Sequence, residues 1–244
     1  MAIQVEGGIS IGGGITIGDS VGPTPPTLLL SLDAADYSGS GSNWTADVGN
    51  DATLQNNPSY TAVNPKYFSF SPASSQYASV PPVPSMSTWS VIAWFRATSA
   101  LTSKVTTVIG DEFSGGLINY SLAINPISEG TGVLKAAYYN NSDGGWHLTS
   151  GFVPTTNTWY QVVGTYDGTT LKQYQNGTLQ SQTTTSAVCA GDESFIRIAA
   201  RWDSLASSID YFPGDISIVK VYSGAIDATA VANNWNATKA RFGL

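Results

Sequence analysis

One histidine, His147, and two adjacent acid pairs, Asp111-Glu112 and Asp192-Glu193, are the residues from which acid–base chemistry could be built. Cleaving a glycosidic bond with retention needs two carboxylates about 5 Å apart on either side of that bond. Neighbouring residues on a strand point to opposite faces, so neither adjacent pair supplies them. A Ser-His-Asp arrangement would have to use His147, which follows Trp146 on an expected strand and reads as a surface or rim residue. The residues predict no enzyme.

Binding chemistry is better represented. A sugar is held by an aromatic ring against its apolar face and by amides, carboxylates and glycines around its hydroxyls. The stretch from Tyr138 to His147 has these ingredients, and Tyr139, Asn141, Asp143 and Trp146 are the candidate contacts. Arg201-Trp202-Asp203 forms a second aromatic tip, which adds Trp202. Both places fit equally well as a sandwich edge packing its own aromatics, or as a contact to a neighbouring subunit.

The elements that position these residues are strands. Trp159 to Tyr166 is aromatic and β-branched without a charge, Asp167-Gly168 supplies turn chemistry, and Leu171 to Gln175 returns before Asn176-Gly177 turns again. Further strands are expected at Thr27 to Leu32, Tyr67 to Phe70, Tyr77 to Val80, Trp89 to Arg96, Lys104 to Asp111, Ile118 to Ile124, Val133 to Tyr139, Trp146 to Phe152, Ser194 to Ala200 and Asp215 to Tyr222. Their regular spacing, broken by Gly, Asn and Asp, is an all-β pattern. Asp227 is placed to cap a terminal helix over Ala228 to Arg241.

Residues 1–26 differ. Ile9, Ile11, Ile15 and Ile17 alternate with small residues, and Pro23 to Pro26 follows as a stiff linker. This segment is expected to be an arm that adds strands to another chain, or else a disordered tail. Residues 27–244 form the compact domain.

With 17 acidic residues against 10 Lys and Arg, the chain carries a net charge of −7. Nucleic acid and anionic membranes require clustered cations, so neither is an expected partner. No apolar run is long enough to span a bilayer, and the first residues lack the basic and apolar regions of a signal peptide. A single cysteine, Cys189, excludes an internal disulfide and reads as a small apolar residue.

Several segments in this order resemble the laminin-G-like, concanavalin A-like jelly-roll family. They are Phe68 to Phe70 with Gln76 to Val80, Trp89 to Phe95, Trp159 to Gly168, Tyr174 to Gly177, and Gly214 to Tyr222 before the helix. The openings LDAADYSGSG and WTADVGNDATLQNNPSY and the ending NNWNATKARFGL look like versions carried by bacteriophage virion proteins. The resemblance implies a two-sheet antiparallel jelly-roll sandwich with a short C-terminal helix and an extended N-terminal arm. It also implies binding to carbohydrate, protein or particle, often with calcium near a sheet edge. Asp33 and Asp36 leave the first strand and Asp215 opens a late one, and in this family such strands meet. These three are the candidate calcium ligands, with ordinary turn aspartates as the alternative. Jelly-roll glucanases carry Glu-x-Asp-x-x-Glu on one strand, which this chain lacks. The expected role is a homo-oligomeric virion protein on the particle surface, joined to other virion proteins through residues 1–26 and adhering to cell-surface glycan. A free lectin and, further off, a glycan-cleaving enzyme are the alternatives.

Glutamines stand on the central hairpin where relatives carry apolar residues. An unpaired buried glutamine costs about 1–3 kcal/mol. Gln161, Gln173 and Gln175 are therefore expected to mark an open, wet face.

Overall fold

Where aromatic and β-branched residues concentrate, the chain extends and pairs. The computed structural model describes residues 10–11, 15–16, 25–101, 106–111, 117–124, 132–140, 145–185, 195–203 and 208–244. Its strands form two large antiparallel sheets. The first runs Thr178–Thr184, Thr170–Gln175, Tyr160–Tyr166, Trp89–Ala97, Gly214–Ser223, Thr27–Asp33, Ala46–Val48, with Tyr67–Phe70 also paired to Gly214–Ser223 and Ser59–Thr61 beyond it. The second runs Gly145–Leu148, Leu134–Asn140, Leu117–Ile124, Thr106–Asp111, Ile196–Ile198, Tyr77–Val80, Ala52–Gln55, Asn43–Trp44. This is the expected sandwich. Between the sheets lie Leu30, Phe68, Val91, Phe95 and Tyr166 from one side and Trp44, Leu54, Leu122, Tyr138 and Ile198 from the other.

The strand Trp89–Ala97 is buried on both faces. Val91, Ala93 and Phe95 enter the main core, while Ile92 and Trp94 point the other way, into two smaller clusters. The helix Ala228–Thr238 covers that second face. Asp227 caps it by accepting from the Ala230 N–H at 2.7 Å, and Val231 is buried on its inner face. A 3-10 turn, Lys239–Phe242, then lays Phe242 on Trp94 with ring centroids 3.8 Å apart. Trp235 stacks on the same indole at 5.2 Å. Trp94 Nε1 donates to Thr238 Oγ1 at 3.0 Å, so the buried indole keeps a partner for its polar atom. Gly177 has φ 78°, and a Cβ there would stand 2.9 Å from Trp235. The turn conformation and the close approach of the helix both require glycine.

Three expectations change. Gln173, opposite Gly164, points between the sheets and is fully buried. Its Oε1 accepts from the Ala136 N–H at 2.9 Å and from Thr149 Oγ1 at 2.5 Å, and its Nε2 donates to Leu134 O at 3.1 Å. Gln161 is buried on the opposite side of the sheet, opposite Trp94, and Gln175, opposite Val162, is half-buried. The three do not form an open face, because hydrogen bonds across the sandwich satisfy Gln173. The strand expected over Trp146 to Phe152 ends at Leu148, and Thr149 turns inward to meet Gln173. Arg201-Trp202-Asp203 is not a loop tip. It belongs to the strand Ala200–Asp203, paired with Ser208–Tyr211.

In the N-terminal segment, Ser10–Ile11 pairs antiparallel with Ile15–Thr16. Ile11 and Ile15 are therefore cross-strand neighbours within one chain, whereas Ile9 and Ile17 lie outside the described residues.

Candidate functional site

Two of the expected sugar contacts meet. Tyr138 is a core residue, so Tyr139 faces away from the first sheet. In the register of Leu134–Asn140 with Gly145–Leu148, Trp146 stands directly opposite Tyr139. Their rings pack edge to face, with centroids 5.2 Å apart at 65°. Both residues are half-buried. Gly145 has φ 130°, a backbone conformation that favours glycine, and lies against the Tyr139 ring.

The paired strands Ala200–Asp203 and Ser208–Tyr211 bring a cation to this pair. Arg201 places its guanidinium 5.5 Å from the centre of the Trp146 ring, a geometry favoured by the negative face of an indole. Further along the outer face of the second sheet, Arg197 lies over Tyr77 at 5.0 Å, and Tyr77 neighbours Tyr211 at 6.1 Å. Arg201 and Arg197 were not among the sequence candidates. An arginine 55 residues away from Trp146 in sequence (201 − 146) carries no local signal of that contact.

Asn141 and Asp143 lie outside the described residues, as does Cys189. Trp202 is placed by its backbone, opposite Ile209. His147 turns toward the sandwich edge, stacked on Tyr138 at 4.6 Å with Nδ1 3.0 Å from Thr185 Oγ1. It fills the rim position expected of it.

The three aspartates do not converge. The first and late strands do pair, but Asp33 lies opposite Ile218, three positions along the strand from Asp215. Asp33 accepts from the Ala35 N–H at 2.7 Å, and both its oxygens accept from Arg241 Nη1 at 2.7 and 2.6 Å. Asp215 accepts from Ser69 Oγ at 2.7 Å and from Arg96 Nε at 2.8 Å. Asp36 lies near the Asp33–Arg241 pair. Burial and the neighbouring Asp47 and Asp33 carboxylates push its carboxyl above the usual range. Among the described residues no three His, Cys, Asp or Glu side chains gather as metal ligands. Asp33, Asp36 and Asp215 therefore do not fit a shared calcium site, because arginines hold two of the three carboxylates.

Sequence reasoning also missed a polar row on the first sheet. Ser59 pairs with Ser69, Ser69 with Asp215 and Asp215 with Arg96, so one charged pair and two hydroxyls line up across four strands. Arg96 ending an otherwise apolar strand was the available signal.

Among the described residues no helix is long and apolar enough to cross a membrane. A comparison with curated proteins found no match. Similar solved structures show the fold. Domain 4 of AbnA, a GH43 extracellular arabinanase from Geobacillus stearothermophilus, solved with arabinotriose, superposes with a TM-score of 0.65 at 17% identity, covering 85% of this chain and 98% of that one. The receptor-binding domain of botulinum neurotoxin type G gives 0.63 at 13% identity over 87% of this chain and 51% of that one. The binding domain of botulinum neurotoxin DC in complex with SialylT gives 0.63 at 15%, over 86% and 51%. The chain thus spans about half the length of the two toxin domains. A family model for the concanavalin A-like lectin/glucanases superfamily matches residues 72–232, more than half of the sequence. Sandwich topology and sequence agree, and the chain belongs to the concanavalin A-like lectin/glucanases superfamily.

Proposed function

We propose that the chain is a non-enzymatic glycan-binding protein displayed on a phage particle. The observation that carries the binding half is the in-register Tyr139–Trp146 pair with Arg201 over the indole. Edge-to-face rings leave part of each π-face for the C–H surface of a sugar, and nearby polar groups orient its hydroxyls. Trp202, on the strand that carries Arg201, and Asn141 and Asp143, between Tyr139 and Trp146 in sequence, are the remaining proposed contacts. Proteins of this fold have been solved with arabinotriose and with SialylT, which supports a glycan as the ligand class. His147 is engaged by Tyr138 and Thr185, which supports a role without catalysis.

The particle half rests on the resemblance of the opening and closing sequences to phage virion proteins. Residues 1–26 dock the domain on other virion proteins and on further copies of the chain by main-chain strand pairing. The proline-rich linker then holds the domain off the particle surface.

A glycan array read with and without chelator tests the binding half. Wild type is expected to bind, and Trp146→Ala is expected to lose at least about tenfold in affinity, on the order of 1.4 kcal/mol. Undiminished binding by Trp146→Ala would remove this surface from the reading. Deleting residues 1–26 is expected to abolish co-sedimentation with particles while the domain still binds glycan. If the truncated chain still assembles, the arm has no docking role.

A further inference from the structure

A cavity of about 380 Å3 opens on the first sheet, lined by Ser59, Ser69, Ser71, Thr98, Pro213 and Asp215. Its size falls in the range of small-ligand sites, about 300–1,000 Å3. Its floor is formed by Ser69 and Asp215 of the polar row already described. Ser69 lies between the core residues Phe68 and Phe70, so its hydroxyl points away from the core. Asp215 has a side chain only 3% exposed, fixed by Arg96 at one oxygen and by Ser69 at the other. Four adjacent strands hold this row in register, so its groups are oriented before any ligand arrives.

The rim supplies complementary chemistry. Among the described residues, the hydroxyls of Ser59, Ser71 and Thr98 make no hydrogen bond within the protein, leaving them to solvent or ligand. Each can donate and accept, which matches the vicinal hydroxyls of a polyol. Pro213 gives the wall an apolar patch for C–H contacts. The cation nearest the row, Arg96, is spent on Asp215, so the cavity offers no charge for an anion. We propose that this cavity binds a neutral polyhydroxyl ligand the size of a monosaccharide or disaccharide. It lies on the first sheet and is separate from the Tyr139–Trp146 surface on the second, so it does not depend on the function proposed above.

The test uses the full chain labelled with 15N and four free sugars as probes: arabinose, galactose, N-acetylglucosamine and maltose. At least one is expected to shift the amides of Ser59, Ser69 and Thr98 at millimolar concentration. Thr98 is exposed, so Thr98→Trp fills the cavity from its rim, and it is expected to weaken that binding about tenfold or more. Trp146→Ala should leave it unchanged. Ser71→Phe is the second blocking variant and decides the matter if Thr98→Trp does not fold. Either of two results overturns the proposal: none of the four sugars moves these amides, or the shifts survive a folded blocking variant. Shifts confined to Tyr139 and Trp146 would likewise overturn it while supporting the other surface.

Discussion

The two outer faces of this sandwich use the same kind of residue for opposite ends. On the first sheet, Trp94 stacks on Trp235 of the helix and on Phe242 of its 3-10 extension, and Trp159 packs tilted against Phe242. On the second sheet, Tyr139 and Trp146 touch each other but stay half-buried. Trp94 is fully buried and hydrogen-bonded to Thr238, whereas Trp146 meets an arginine at its ring. An aromatic-rich sequence therefore does not by itself identify a binding face. What decides is how completely the rest of the chain covers the ring: Trp94 is fully buried, whereas Trp146 stays half-buried even with Arg201 beside it.

The largest test of this contrast is Trp94→Ala. Removing a fully buried aromatic costs about 3–5 kcal/mol, which for a chain of this size lowers the thermal midpoint by about 6–20 °C. Calorimetry of the variant checks it, and a shift of only a degree or two would mean that the helix does not depend on this stack. Trp146→Ala should sit at the other end, with less than about 1 kcal/mol lost. Were it to destabilise the protein as much as Trp94→Ala, the two faces would be alike and Trp146 would be a core residue.

The smallest expected effect concerns the hairpin that leads into the helix-covered sheet. Burial pulls the Asp167 carboxyl up. Hydrogen bonds from the Thr169 and Thr170 N–H groups and the Thr169 hydroxyl outweigh that and hold it below the usual range. A carboxyl depressed in the folded state adds stability above its unfolded value of about 3.9, and that stability is lost as pH falls through the folded value. Asp167 is exposed, so solvent screening keeps the effect small: Asp167→Asn should cost about 0.5 kcal/mol at neutral pH, with the difference from wild type shrinking as pH falls through the folded value. Urea titrations at pH 7 and pH 3 measure it, and a difference that grows on acidification would contradict the assignment.

Much of the fold was legible because local rules agree with the global arrangement. Asp167-Gly168 and Asn176-Gly177 specify turns, with Asn176 at φ 51° and Gly177 at φ 78°, and the strands beside them carry β-forming residues. Asp227 announced the helix, and its cap bond is present. What one strand cannot reveal is its register against the next. Gln173 points into the sandwich because it lies opposite Gly164, and its partners, Leu134, Ala136 and Thr149, come from elsewhere in the chain. The same limit hid the polar row, whose members Ser59, Ser69, Arg96 and Asp215 are each unremarkable within their own segments. Tyr139 and Trp146 were recoverable because they stand close together in sequence. Asp33 and Asp215 each read plausibly as a metal ligand, since nothing near them in sequence shows the arginine that each one holds.

The bond between Asp33 and Arg241 joins residues 208 positions apart, and Arg241 also donates to Lys66 O and Ser217 Oγ. A contact of such separation forms late, because the loop it closes must first lose its conformational freedom. Thr27–Asp33 also pairs with Gly214–Ser223, so the earliest strand of the domain must wait for some of the latest. On the ribosome, the first sheet has no way to close until residues 214–242 have emerged. Until then Leu30 and Leu32 lack their neighbours, and a synthesis stalled before that point would leave an exposed apolar edge as a target for chaperones or for aggregation.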